Sequence, residues 1–395
     1  MIPPHQPSSG VGRVLALLLG GAKPASVEAV EDAARQACGV GGAVLLPSAR
    51  AGINWALAAA LGPGAAALCP AFTCAVVHEA AVRSGAQLQL IDTAADGFLM
   101  DPAALRRAAA GRYGLVLCEV YGHPYDLDAL AAGLPAPPAI RIIDMAMTVP
   151  VPALVERLRG TDLAVLSLGA GKCLYAGWGG LALTGDLALA DEVRRRRDAA
   201  LSTGGVTLAA RRAVSILVRT AGYERAAYGV LRKLWPPVPP GPSPFERWRS
   251  ADRAAPEWRR PSSGPDRRLA RYNLEHCPEA AARRIELAAR YHRNLEGVAG
   301  VVRPPASPYA LSCYTVRVRP EARTNLWRYL WGAGIAADRL FEFLPYLDAG
   351  ALPNTWRRAS EVINLPLFER LALSDVDRIA EHVARWAGSA SAAAG

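Results

Sequence analysis

From residue 43 to 187, short β-rich runs take turns with helix-like stretches, and that alternation limits the fold more than any other feature of the chain. The runs are AVLLP, AAALCP, LQLID, GLVLCEVYG, IRIIDMAM, LAVLSLG and GGLALTG. Strands joined by helical crossovers build a layered α/β domain around a largely parallel sheet. Ligands of such sheets bind beyond the carboxyl ends of the strands, so the residues that close each run become the first candidates for chemistry.

The chain has 395 residues, 51% of them hydrophobic and 20% charged, enough to bury a large core in two globular parts. Its longest early apolar run, Val14 to Leu19, is far shorter than the roughly 20 residues a spanning helix needs, and no convincing cleavage site follows it. The expectation is a cytoplasmic protein. Seven cysteines without any CxxC pair read as reduced thiols rather than a disulfide frame or a metal site. The net charge of +10 comes mostly from arginines between Arg194 and Arg271. No helix-turn-helix, zinc finger or RNP-like pattern accompanies them, which argues against nucleic acid as a partner.

Residues 190–235 read as helical, with the basic cluster Arg194 to Arg197 followed by a stretch that mixes arginines with an apolar face. The pattern fits a helix packed on the body with a solvated side, or an interfacial or substrate-covering helix that touches a membrane surface. Pro236 to Pro265 reads as a long loop. Beyond it come the helix AAARRIELAARYHRNLEGV, the strand YTVRVRP, a helix near Glu321–Ala333 and a last helix Ser374–Trp386. Ser374 with Asp377 forms a capping-box pair, and SASAAAG reads as a disordered tail. The expected organisation is an arm (1–26), an α/β domain (27–190), a basic insertion (191–267), a smaller α+β domain (268–388) and a tail (389–395).

Three places in the α/β half can cooperate. In Leu46-Pro-Ser48-Ala49-Arg50-Ala51 a strand ends, Ser48 can cap the next helix, and the free amides at its start favour an anion, to which Arg50 adds a fork. Asp144 closes IRIID, where a buried acid is costly unless a cation or donor faces it. Lys172, one of only three lysines beside 42 arginines, sits in the glycine-bracketed run SLGAGKCLYAGWGG, preceded by Ser167. An amine that can lose its proton, a strand-end carboxylate and an anion cradle are together what pyridoxal phosphate requires.

The order PSARAGINWAL, PAFTC, VYGHPYDLDAL, IIDMAM, SLGAGKCLYAGWGG and EVINLPLFERLALSDVDRI resembles the DegT/DnrJ/StrS sugar aminotransferases, a fold type I pyridoxal phosphate family, over roughly residues 27–190 and 268–386. Lys172 stands 28 residues after Asp144 and five after Ser167, the spacing found in that family. The resemblance implies a large domain with a mostly parallel seven-stranded sheet and a smaller α+β C-terminal domain. It makes Lys172 the Schiff-base lysine and proton shuttle, Asp144 the partner of the ring nitrogen, and Ser167 with Ser48, Ala49, Arg50 and Ala51 the phosphate site. It places the asparagine that reaches a partner subunit at Asn273, hence a homodimer with shared active sites, although Glu275 replaces the arginine usual two residues on. Cys74 falls where an aromatic residue stacks on the ring, and Met147 where a polar residue stands, giving a softer pocket. The implied activity transfers an amino group from glutamate or glutamine to a keto sugar, nucleotide-linked in the family's manner. A non-sugar or lipid-linked substrate, or a non-catalytic relative acting through its basic insertion, are the alternatives.

Overall fold

The computed structural model describes residues 1–19, 25–202, 205–234 and 256–392. Each of the seven runs forms a strand: β1 Gly42–Leu46, β2 Ala66–Pro70, β3 Gln87–Ile91, β4 Tyr113–Cys118, β5 Ile140–Asp144, β6 Leu163–Ser167 and β7 Gly180–Thr184. They build one sheet in the order β1-β7-β6-β5-β4-β2-β3. Strand β7 is antiparallel to both of its neighbours, and the other pairings are parallel. Helices cover both faces: Ala43 and Leu45 pack into one apolar cluster while Val44 and Leu46 pack into another, as a strand's two-residue period requires.

The smaller domain pairs β8 Tyr314–Arg317 antiparallel with β9 Val362–Leu365. The helices Cys277–Asn294, Pro320–Gly332 and Leu373–Ala392 lie over this two-stranded sheet, around a core that includes Leu287, Tyr291, Val316, Ile363, Phe368 and Ile379. The N-terminal arm is tied to the same domain. The Ile2 N–H donates to Gly334 O at 2.9 Å and Ile2 O accepts from Ala336 N at 2.9 Å.

Three expectations are corrected. The last helix starts at Leu373 and is capped by Asp375, whose Oδ2 accepts from Ala372 N at 3.0 Å. Asp377 instead receives Arg290 at 2.6 Å and Asn294 at 2.6 Å. The same helix runs on to Ala392 because its Ser/Ala run keeps adequate helix propensity, so residues 389–392 are not a disordered tail. Of the expected loop 236–265, residues 235–255 lie outside the described residues; a short 3₁₀ turn, Pro256–Arg259, and a helix from Gly264 follow.

The basic stretch forms the helices Leu187–Ala200, Val206–Gly222 and Arg225–Leu234. Its arginine cluster is neutralised by the body. Arg197 meets Glu31 at 2.7 Å, Arg194 meets Asp191, and Arg195 and Arg196 both meet Glu192. All seven cysteines are free thiols.

Candidate active site

Strands β5 and β6 are parallel neighbours, so Asp144 and Ser167 close adjacent strands at the same edge of the sheet. The loop after β6 carries Lys172 back over that edge. Gly171 turns it with φ of 75°, and Ala176 N donates to Leu168 O at 2.9 Å to fasten its far end.

Asp144 is buried, and its Oδ1 accepts from Ala146 N at 2.9 Å. Burial raises its pKa, opposed by the nearby Lys172 ammonium and by that amide. Cys118 Sγ lies 3.7 Å from Asp144 Oδ2, and burial together with that carboxylate pushes its thiol well above the ordinary range. Glu119, the next residue, is pushed up to about 7 by burial, against the pull of Arg157 bound at 2.6 Å.

The phosphate-type site forms where β6, β7 and the helix Ala49–Ala60 converge. Ser167 pairs with Gly180 across the sheet, and Ser48 bridges to Gly179. Ser48 Oγ caps the helix by accepting from Ala51 N at 3.3 Å. The amides of Ala49 and Arg50 precede any acceptor within the helix, so they remain for an anion. Gly180 permits this convergence: a Cβ there would stand 2.5 Å from Ala49 N.

Lys172, Cys74 and Met147 line one cavity of about 380 Å³. The Arg50 guanidinium faces Glu79, an acid one helix over, at 3.6 Å. Asn273 is buried in its own chain, and its Nδ2 donates to Tyr175 O at 2.8 Å. Its helix, Gly264–Glu275, packs against the helices Val27–Cys38 and Val206–Gly222.

The cavity also gathers residues that local sequence patterns did not single out: His5, Arg219, Tyr223, Asp338 and Phe341. His5 comes from the N-terminal arm and stacks at 4.3 Å on Tyr223. Burial, then Arg219 and Arg284, lowers its pKa to about 4, so the ring is neutral. Asp338 is pushed up to about 6 by burial, opposed by Arg232. Phe341 adopts a left-handed φ of 64° and stacks on Tyr121, itself at φ 59°, with ring centres 5.5 Å apart. Non-glycine residues held in this region cluster at functional sites, and Phe341 brings the aromatic surface that Cys74 lacks. The one available signal was positional: His5 and Arg219 lie in segments that the α/β pattern leaves unexplained.

A seven-stranded mixed sheet with a lysine loop and a buried carboxylate at adjoining strand ends defines a fold type I aminotransferase architecture. The chain belongs to the DegT/DnrJ/EryC1/StrS aminotransferase family, whose pattern it matches over residues 22–223 and 268–384. It is 26% identical over 336 residues to the erythromycin biosynthesis sensory transduction protein EryC1 of Saccharopolyspora erythraea, covering 82% of this chain and 79% of that one. Its fold is similar to the sugar aminotransferase CalS13 from Micromonospora echinospora, with a TM-score of 0.70, 21% identity and coverage of 98% and 100% of the two chains. The PLP form of Spr1654 from Streptococcus pneumoniae superposes with a TM-score of 0.73 at 18% identity, covering 98% and 99%. His5 and the helix Arg225–Leu234 fall outside the matched residues.

Proposed function

We propose that this protein is a pyridoxal phosphate-dependent aminotransferase that moves an amino group from glutamate or glutamine to a nucleotide-linked keto sugar. The observation that carries the reading is the Lys172 amine lining a cavity and close enough to the buried Asp144 for its charge to act on that carboxyl. The residues fit the cofactor. The glycine at 180 leaves the helix start at Ala49 close against β7, beside Ser167, with two amides and a hydroxyl for a phosphate. When bound, pyridoxal phosphate supplies the electron sink that stabilises a carbanion.

The chain's own groups do the rest. Lys172 would hold the cofactor through its amine and, when that amine is free, would take and return the proton at the substrate carbon. Asp144 would hold the protonated ring nitrogen, a cation of the kind a buried carboxylate needs beside it. Met147, Cys74 and Phe341 exclude water around the reacting atoms. Arg219 has no ion pair with an acid among the described residues, so its guanidinium is available for a substrate carboxylate or phosphate at the cavity. In this reading the enzyme works in the cytoplasm as a homodimer with shared active sites.

The test is spectroscopic and then catalytic. Protein reconstituted with pyridoxal phosphate should gain a visible absorption band that Lys172→Ala lacks, and should consume glutamate or glutamine in the presence of a suitable keto sugar. A wild type that stays colourless after reconstitution refutes the proposal.

A further inference from the structure

The helices Val206–Gly222 and Arg225–Leu234 carry an outer face that nothing among the described residues covers. Val206, Val214 and Val218 are 88%, 59% and 67% exposed, and Val230 and Leu234 are 58% and 65% exposed. Val206, Val214 and Val218 share one side of the first helix by their spacing, and Val230, Leu231 and Leu234 extend the apolar face onto the second. Half of the large apolar side chains exposed among the described residues are on these two helices, so this is a patch rather than scatter.

Its charge separates it from the rest of the surface. From 205 to 234 the chain has the basic residues Arg211, Arg212, Arg219, Arg225, Arg232 and Lys233 and the single acid Glu224. Glu224 is taken by Arg370 at 2.8 Å. Arg212 lies over Trp178 and near Asp266, and Arg225 pairs with Asp375, so both are held against the body. Arg211 and Lys233 are exposed and make no ion pair with an acid among the described residues. The contrast with Arg194 to Arg197, each neutralised by a local acid, is direct. A face that is both apolar and cationic is complementary to an anionic lipid surface, where valine and leucine enter the acyl boundary and the basic side chains reach headgroups. No helix of the described residues is long and apolar enough to cross a membrane, so the contact is interfacial.

We infer that the helix pair Val206–Leu234 docks the protein on an anionic bilayer. Arg219 and Tyr223 of the same pair also line the Lys172 cavity, so the docking face and that cavity share residues. A groove of about 390 Å³ between the two helices, lined by Val218, Tyr228, Leu231 and Arg232, opens on this side. The inference stands on the surface alone and does not depend on the reaction proposed above.

Flotation of the full chain with vesicles of phosphatidylcholine, alone or mixed with phosphatidylglycerol, tests it at low and high salt. Binding is expected to the mixed vesicles at low salt and to fall steeply at high salt. Arg211→Gln with Lys233→Gln should weaken partitioning roughly tenfold or more, and Val214→Asp with Val230→Asp should abolish it. Each variant should keep the wild-type unfolding midpoint, since the altered side chains are exposed. No binding to either vesicle, or equal binding to both, overturns the inference. So does a wild-type dimer that Val214→Asp splits without change in vesicle binding, which would make this face a contact between two copies of the chain.

Discussion

Gly180→Ala tests the most crowded point of the proposed phosphate site. A methyl group at 180 would lie 2.5 Å from Ala49 N, 2.7 Å from the Ser48 carbonyl carbon and 2.8 Å from Leu166 O. All three are backbone atoms, so no rotamer change relieves the clash; the helix start and β7 must separate by at least about half an ångström. Overpacking of this kind costs about 1–3 kcal/mol, while alanine's smaller loss of chain entropy in a strand returns about 0.5–1 kcal/mol. Taking the middle of each range, the net loss is about 1.25 kcal/mol. Spread over an unfolding entropy of about 2.1 cal/mol/K per residue, that lowers the melting midpoint by roughly 1.5 °C. Because the same movement draws the Ala49 and Arg50 amides away from Ser167, one hydrogen bond to the cofactor phosphate should be lost, about tenfold in affinity. Differential scanning fluorimetry and titration of the visible band measure the two effects. Gly185→Ala is the control, since nothing lies within 4 Å of a Cβ there. A Gly180→Ala protein with the midpoint and the cofactor affinity of the wild type would refute the account of the site.

Two further predictions concern buried charge. Arg284 donates to the carbonyls of Leu311, Ser312 and Leu367 at 3.2, 3.1 and 2.8 Å and to Glu369 at 2.6 Å. Arg284→Met leaves these acceptors and a carboxylate uncompensated and should cost about 3–5 kcal/mol in urea unfolding; a cost below about 1 kcal/mol would show that the domain's core does not rely on this residue. Glu119 titrates near 7 when folded against 4.5 in the open chain, because burial outweighs Arg157. Its contribution to stability is therefore fully present below about 4.5 and is lost as pH rises through about 7. Glu119→Gln should flatten the fall of the melting midpoint across that window, and an unchanged slope would count against the shifted carboxyl.

The part of the site that local pattern made legible is the part built from strand ends. Each β-rich run ends in a turn, and a turn at the carboxyl edge of a parallel sheet has one place to put its side chains. Asp144, Ser167 and Ser48 were therefore assigned from their runs, and the structure brings them to neighbouring positions along one sheet edge. Lys172 follows for the same reason, five residues past a strand end on a glycine-rich loop.

Residues whose surroundings depend on distant segments were not legible. The resemblance places Asn273 at an interface, and within its own chain its amide is held by Tyr175, 98 residues away. Arg50 has the chemistry of an anion fork at a helix start, and Glu79 from the next helix faces it at 3.6 Å. His5 carries no periodic signal because nothing local holds it. It reaches the cavity only because Ile2 has joined the edge of the small domain. Periodicity reports which face a residue presents, and capping chemistry reports where an element begins. Neither reports which remote segment will lie over that face, and in this chain the N-terminal arm and the inserted helices are the segments that complete the cavity around Lys172.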